Sequence, residues 1–255
     1  MNNTHSEVCH GSGMRPQVSF PKLVHFFGPD GSGKSTQADM LINFLDCRGV
    51  RAKKCWMRGT HTFAFLMWWF LIKIGFYRTV LNQFGIARRL PAVNRNSLLR
   101  LIWFTVELLG VIPWILRIHF LMLRGYKIVA ERYVLDTVVS IAYTIGDAGF
   151  LESPRSRLLL CFIPKGTAFI FLDSDYETIL SRRIGWYDQT DMFGTSEGHP
   201  PSFISSRYLE PEEVIRFQRN AYIKLAKAYN ALIIDTSQHS AKESSNLVSK
   251  YLGLQ

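Results

Sequence analysis

The order of apolar and polar positions along the chain divides it into strands and helices that alternate. A strand is expected at Lys22 to Phe27, then a helix from Lys34 to about Arg48 and a second strand at Arg51 to Trp56. A long, greasy helical segment follows. Beyond it, KIVA (Lys127 to Ala130), AFIFL (Ala168 to Leu172) and ALII (Ala231 to Ile234) are short apolar runs of the kind buried parallel strands carry, and each precedes a helix-compatible stretch. The fold class is therefore α/β, with a parallel five-stranded sheet flanked by helices. The first 18 residues are polar and lack an apolar h-region, so 1–18 reads as a flexible arm without a signal peptide and 19–255 as a single domain.

Composition changes this picture in one place. The chain has 255 residues, 47% apolar and 20% charged, enough for a packed core and against general disorder. Four cysteines stand without a C-x-x-C pair, which indicates neither a zinc knuckle nor a disulfide framework and fits a reducing, cytoplasmic setting. Net charge is +10, and most of that excess lies between Trp56 and Ala130, where ten basic residues meet one acid, Glu107. The same stretch holds five of the six tryptophans and the runs FAFLMWWFLI and LIWFTVELLGVIPWIL. The first is too short to span a membrane and the second is expected to be interrupted by Glu107 and Pro113. Two readings stay open for residues 61–124: a buried helical core or homodimer surface, which is preferred, and a peripheral contact with anionic headgroups. The basic residues are embedded in apolar runs rather than set on a polar face, so no nucleic acid partner is expected.

Between the first strand and the first helix stands Gly28-Pro29-Asp30-Gly31-Ser32-Gly33-Lys34-Ser35-Thr36, which satisfies G-x-x-x-x-G-K-[ST] in the required strand-loop-helix context. Glycines let such a loop wrap so that backbone N–H groups point at phosphate oxygens, and the following helix adds its positive end. Lys34 brings a charge to the outer phosphates, and the Ser35 hydroxyl can complete the ligand shell of Mg2+. ATP and Mg2+ are the implied cofactors.

FFGPDGSGKSTQ (Phe26 to Gln37) resembles the phosphate loop of thymidylate kinases. RGYKIVAERY (Arg124 to Tyr133) resembles their Asp-Arg-Tyr strand, with Glu131 in place of Asp. FIFLDSDYETILSRR (Phe169 to Arg183) resembles the strand, helix and arginine-bearing lid, and FQRNAYIKLAKAYNALIIDTSQ (Phe217 to Gln238) the last helix and strand. These blocks stand in family order over most of the chain outside the greasy middle. The resemblance implies a P-loop nucleoside monophosphate kinase acting on nucleotide substrates, dTMP to dTDP foremost.

It also implies roles. Asp30 would accept from a sugar hydroxyl and Arg132 would grip the acceptor phosphate beside Tyr133. Glu131 would hold Mg2+ through water, with Asp173 as its rival. Arg182 and Arg183, at a helix end that opens a lid over 184–209, would meet the transition-state charge, and Gln238 would lie at the ATP. Arg58 resembles an arginine that bridges donor and acceptor, although Gly59-Thr60-His61-Thr62 departs from the expected continuation. The helix that would carry a base-stacking aromatic and an arginine offers Trp103, Phe104 and Glu107, with no arginine between Arg100 and Arg117. Two further functions are weighed: a P-loop kinase of an apolar or membrane-borne acceptor, such as a prenol or lipid phosphate, and a nucleotide-regulated binding protein.

Overall fold

The computed structural model describes residues 20–57, 63–81, 87–190 and 210–254, with the backbone alone at 88 and 184–190. Its centre is β1 (Leu23–Phe27), every residue of which is buried. Period-two alternation sends Val24 and Phe26 to one face of the sheet and Leu23 and Phe27 to the other. Around it run β2 (Ala52–Cys55), β5 (Lys127–Ala130), β6 (Ala168–Asp173) and β7 (Leu232–Asp235) in the order β2-β5-β1-β6-β7, all parallel. This is the five-stranded sheet that the sequence implies, with strand ends within a residue or so of expectation.

Helix α1 (Lys34–Cys47) and the C-terminal α8 (Ala241–Tyr251) cover the Val24 face, burying Leu41, Leu45 and Val248. The other face is covered by α3 (Ser97–Leu123), α4 (Val134–Ile145), α5 (Pro154–Leu160) and α7 (Glu212–Ala228), which build the larger core. Helix α4 is almost entirely buried, as its run VLDTVVSIAYTI requires. Its first turn is tied by Asp136, whose Oδ2 accepts from the Tyr133 amide at 3.0 Å.

The middle segment departs from expectation in two ways. After α2 (Phe63–Lys73) the chain forms an antiparallel hairpin, β3 (Tyr77–Leu81) and β4 (Ala87–Pro91), where continuous helix was expected. The strands hold because Val80 and Leu90 are buried with Tyr143 and Val214 in a small cluster of their own. The second departure is α3, which runs unbroken for 27 residues through Pro113. Pro113 lies on the outer side while Val111 and Ile115 beside it are locked into the core, which keeps the helix in register past the lost hydrogen bond. By length and composition α3 is long and apolar enough to cross a bilayer. Helix α6 (Tyr176–Thr190) likewise continues beyond Arg183, where it was expected to end, so the expected lid begins as helix; its remainder, 191–209, lies outside the described residues.

Strand order reverses about β1, with β5 on one side and β6 on the other. In open α/β sheets that arrangement leaves a crevice beyond the carboxyl ends of the strands. The segments after β1, β5 and β7 meet there.

Candidate active site

The loop after β1 is shaped by its glycines. Gly28 has φ 144°, and a Cβ there would stand 2.3 Å from the Leu172 carbonyl oxygen on β6, so no side chain fits. Gly31, at φ 93°, lets the loop lie against Ile179 and Arg183 of α6. The turn feeds into α1 with Lys34 as its first residue. The Lys34 Nζ donates to the carbonyls of Gly28 at 2.7 Å and Pro29 at 2.6 Å, and lies 3.6 Å from Asp30 Oδ1. Burial pulls its ammonium down to about 8, against the opposing pull of Asp136 and Glu131.

Beyond β5, the chain leaves the sheet at Glu131 and Arg132. Arg132 forms an ion pair with Asp30, so one carboxylate joins the arginine of the β5 end to the lysine of the loop. The Ser35 hydroxyl donates to Glu131 Oε1, and Lys54 Nζ, from β2, lies 3.0 Å from Glu131 Oε2 and 2.7 Å from Asp39 Oδ1. Burial disfavours the Lys54 charge, but hydrogen bonds to Asp39 and Glu131 outweigh it and raise its pKa. Asp173, the rival acid, is engaged elsewhere: Arg219 grips both its oxygens, at 2.7 and 2.8 Å. Among the described residues no cluster of three or more His, Cys, Asp or Glu forms a ready-made metal cage. Ser35 and Glu131, both hard oxygen donors, fit a magnesium ion that keeps most of its water.

A third arm comes from α6. Arg182 Nη1 donates to Thr236 Oγ1 at 3.0 Å and Nη2 to the Thr236 carbonyl, so the turn after β7 supports the guanidinium. Thr236 is itself tied to the carbonyls of Ser32 and Asp173, at 3.2 and 3.0 Å. All three arms face one open cavity of about 670 Å³, lined by the loop from Asp30 to Gln37 together with Glu131, Arg132, Arg182 and Arg183. Four cations face two carboxylates there, so the chamber is net positive and suited to polyphosphate.

The remaining sites expected from the sequence are distributed otherwise. Arg58 lies outside the described residues. Tyr133, expected at the acceptor, is fully buried, with its hydroxyl donating to the Phe162 carbonyl at 3.2 Å, because the first turn of α4 directs it inward. Gln238 is exposed and does not line the cavity; its neighbours Thr236 and His239 do. Trp103, Phe104 and Glu107 are buried within the α3 core and do not line this cavity. Phe104 packs edge-on against Phe150, and burial pushes the Glu107 carboxyl up to about 7.

Four features escaped sequence reasoning. Lys54 and Trp56 reach the site from β2 and the residue that follows it, where the local sequence carries no motif, and Thr236 from the last quoted block, where sequence reasoning gave it no role. Beneath the loop, His25 Nε2 and the Tyr222 hydroxyl each lie 3.0 Å from an oxygen of buried Asp136. Burial opposes ionisation of Asp136, but the His25 hydrogen bond and the charges of His25, Arg132 and Lys34 prevail and lower its pKa. Only the alternation of β1, one His among Leu, Val and Phe, hints at this network.

No family model matches the sequence, and no curated protein matches it. Solved structures do match in fold. A thymidylate kinase from Candida albicans superposes with a TM-score of 0.52 at 14% identity, over 92% of each chain. A deoxyadenosine kinase from M. mycoides, with the products dCMP and a flexible dCDP bound, gives 0.51 at 13% identity, over 91% of this chain and 98% of that one. The chain thus has the α/β fold of thymidylate kinase-like P-loop kinases.

Proposed function

We propose that the protein is a P-loop phosphotransferase that moves the terminal phosphoryl group of ATP to a nucleoside monophosphate, dTMP foremost. The observation that carries this reading is that Lys34 and Arg132 line one and the same positive cavity. Such a chamber suits two anionic ligands meeting end to end.

In this reading the loop amides and Lys34 hold the donor phosphates, and Arg132 holds the acceptor phosphate in line with them. Phosphate oxygens then take over the positions that Asp30 occupies on both cations, and the freed Asp30 accepts from the acceptor sugar. Ser35 and Glu131 are the residues that would hold Mg2+, which supplies neutralising charge to the donor phosphates. Arg182 and Arg183 reach the cavity from α6 and offset the charge that spreads over the moving group.

A second reading, transfer to an apolar alcohol or its phosphate at a membrane, draws on the exposed apolar faces of α2 and α3. One assay separates them: ADP release from ATP and Mg2+ with a panel of nucleoside monophosphates, and separately with detergent-solubilised prenols and prenyl phosphates. The expected result is turnover with dTMP. Arg132→Ala is expected to raise KM for the acceptor and lower kcat/KM by about 100-fold, the loss of a charge-assisted phosphate grip. Turnover only in the lipid set removes the first reading, and unchanged kcat/KM in Arg132→Ala removes the role given to that residue.

A further inference from the structure

Helices α2 and α3 pack side by side, and both leave apolar faces open. On α2 the exposed positions Phe65, Leu66, Trp69 and Phe70 recur at three- and four-residue spacing, one side of the helix, with Lys73 at its end. On α3 the exposed residues Leu98, Ile102, Leu109, Leu116, Phe120 and Leu123 follow the same spacing along a helix about 40 Å long. Leu116 is 64% exposed and Leu123 87%, values unusual for leucine. Soluble chains rarely leave so large an apolar area open without a partner.

The charge on these helices selects the partner. Helix α2 contains no acid, and the one acid of α3, Glu107, points into the core. The cations border the apolar faces through aromatic rings: Lys73 lies 5.6 Å over Trp69, Arg117 5.6 Å over Trp114 and Arg124 4.8 Å over Phe120. An apolar strip edged by aromatics and cations, with no exposed acid, complements an anionic headgroup layer. A second copy of this face would bring cation against cation.

We propose that the outer faces of α2 and α3 rest in the headgroup layer of an anionic phospholipid bilayer, both helices lying along its plane. They do not cross it, because the inner side of α3 supplies Trp103, Val111, Ile115 and Ile118 to the core of the domain, which crossing would dismantle. The inference goes beyond the proposed reaction and is tested without turnover.

The experiment is flotation of the full chain with vesicles of phosphatidylcholine alone or with roughly one third phosphatidylserine, at about 0.05 M and about 0.5 M salt. Binding is expected to the anionic vesicles at low salt, with release at high salt. The triple variant Lys73→Glu, Arg117→Glu, Arg124→Glu is expected to bind at least about 100-fold more weakly, at about a factor of five per lost cation before repulsion is added. Trp69→Ser with Leu116→Ser and Phe120→Ser is also expected to weaken binding. Both variants change exposed residues, so circular dichroism and binding of a non-hydrolysable ATP analogue should match the parent. No binding to anionic vesicles, equal binding to neutral ones, or apolar variants that bind like the parent would overturn the proposal. So would a solution dimer that the apolar substitutions split, since a second copy would then cover the face.

Discussion

The phosphate end of the sheet and the α2–α3 flank are both rich in cations but treat them differently. At the phosphate end, the cations of the loop, of the β5 end and of neighbouring β2 that meet there have oxygen partners: Lys34 has two carbonyls, Arg132 has Asp30, and Lys54 has Asp39 and Glu131. On the flank, Lys73, Arg117 and Arg124 lie over aromatic rings. A carboxylate fixes a cation at a point and can yield it to a phosphate, which carries more charge. A ring face holds a cation loosely over apolar surface and leaves its hydrogen bonds available to whatever lies outside. Sequence counting gives both regions the same sign; their partners give them different uses.

The largest expected effect lies at the phosphate end. Lys34→Ala removes the buried ammonium from the loop, and ADP release is expected to fall by about 1,000-fold, the scale on which one preorganised charge donor matters in a transition state. Vesicle binding by the same variant should be unchanged, which separates the two regions directly. A variant that retains parental turnover would show that the cavity is not the place of reaction.

An intermediate effect is expected between the regions, at Glu107. Its carboxyl is raised from 4.5 to about 7 by burial, and its Oε1 has no hydrogen-bond partner among the described residues. The folded state therefore holds this proton more tightly than the unfolded chain. Below about pH 4.5 both states are protonated and Glu107 costs nothing through its charge. As pH rises towards 7 the unfolded chain ionises first and folding stability falls, levelling off above 7 at a loss of about 3 kcal/mol. Glu107→Gln should abolish that slope, gaining up to about 3 kcal/mol at pH 8 and little at pH 4, as read from urea midpoints. A variant less stable than the parent at pH 8 would mean that the ionised carboxylate has a partner in the folded protein.

The smallest effect is expected on the flank. Leu116→Ser with Phe120→Ser alters exposed groups and should change unfolding free energy by no more than about 0.5 kcal/mol per site, with soluble-substrate turnover unaltered. A loss of several kcal/mol in the isolated chain would mean that the face is already packed in solution.

Much of the phosphate site can be read in the chain because its chemistry is contiguous. Gly28 to Thr36 carries its backbone shape, its cation and its hydroxyl within nine residues, between a strand and a helix that the order of apolar positions makes recognisable. Glu131 and Arg132 are legible because an apolar strand ends immediately before them. Tyr133 and Gln238 show the limit of that reasoning. Each adjoins residues that face the cavity, yet one turns inward at the start of α4 and the other outward in the turn after β7, and a single φ/ψ step decides such directions.

Elsewhere legibility fails for a physical reason. Lys54 meets Glu131, and Arg182 meets Thr236, only because parallel crossovers bring strand ends together across dozens of residues. Periodicity alone cannot tell a core helix from a surface one when α2 is apolar on every side; its contacts with α3 settle which residues stay outside. Local pattern governs what a segment becomes, since backbone preferences and side-chain period act over a few residues. Which side chains share a cavity, and which apolar faces stay bare, follows from the packing of distant segments, which no local window contains.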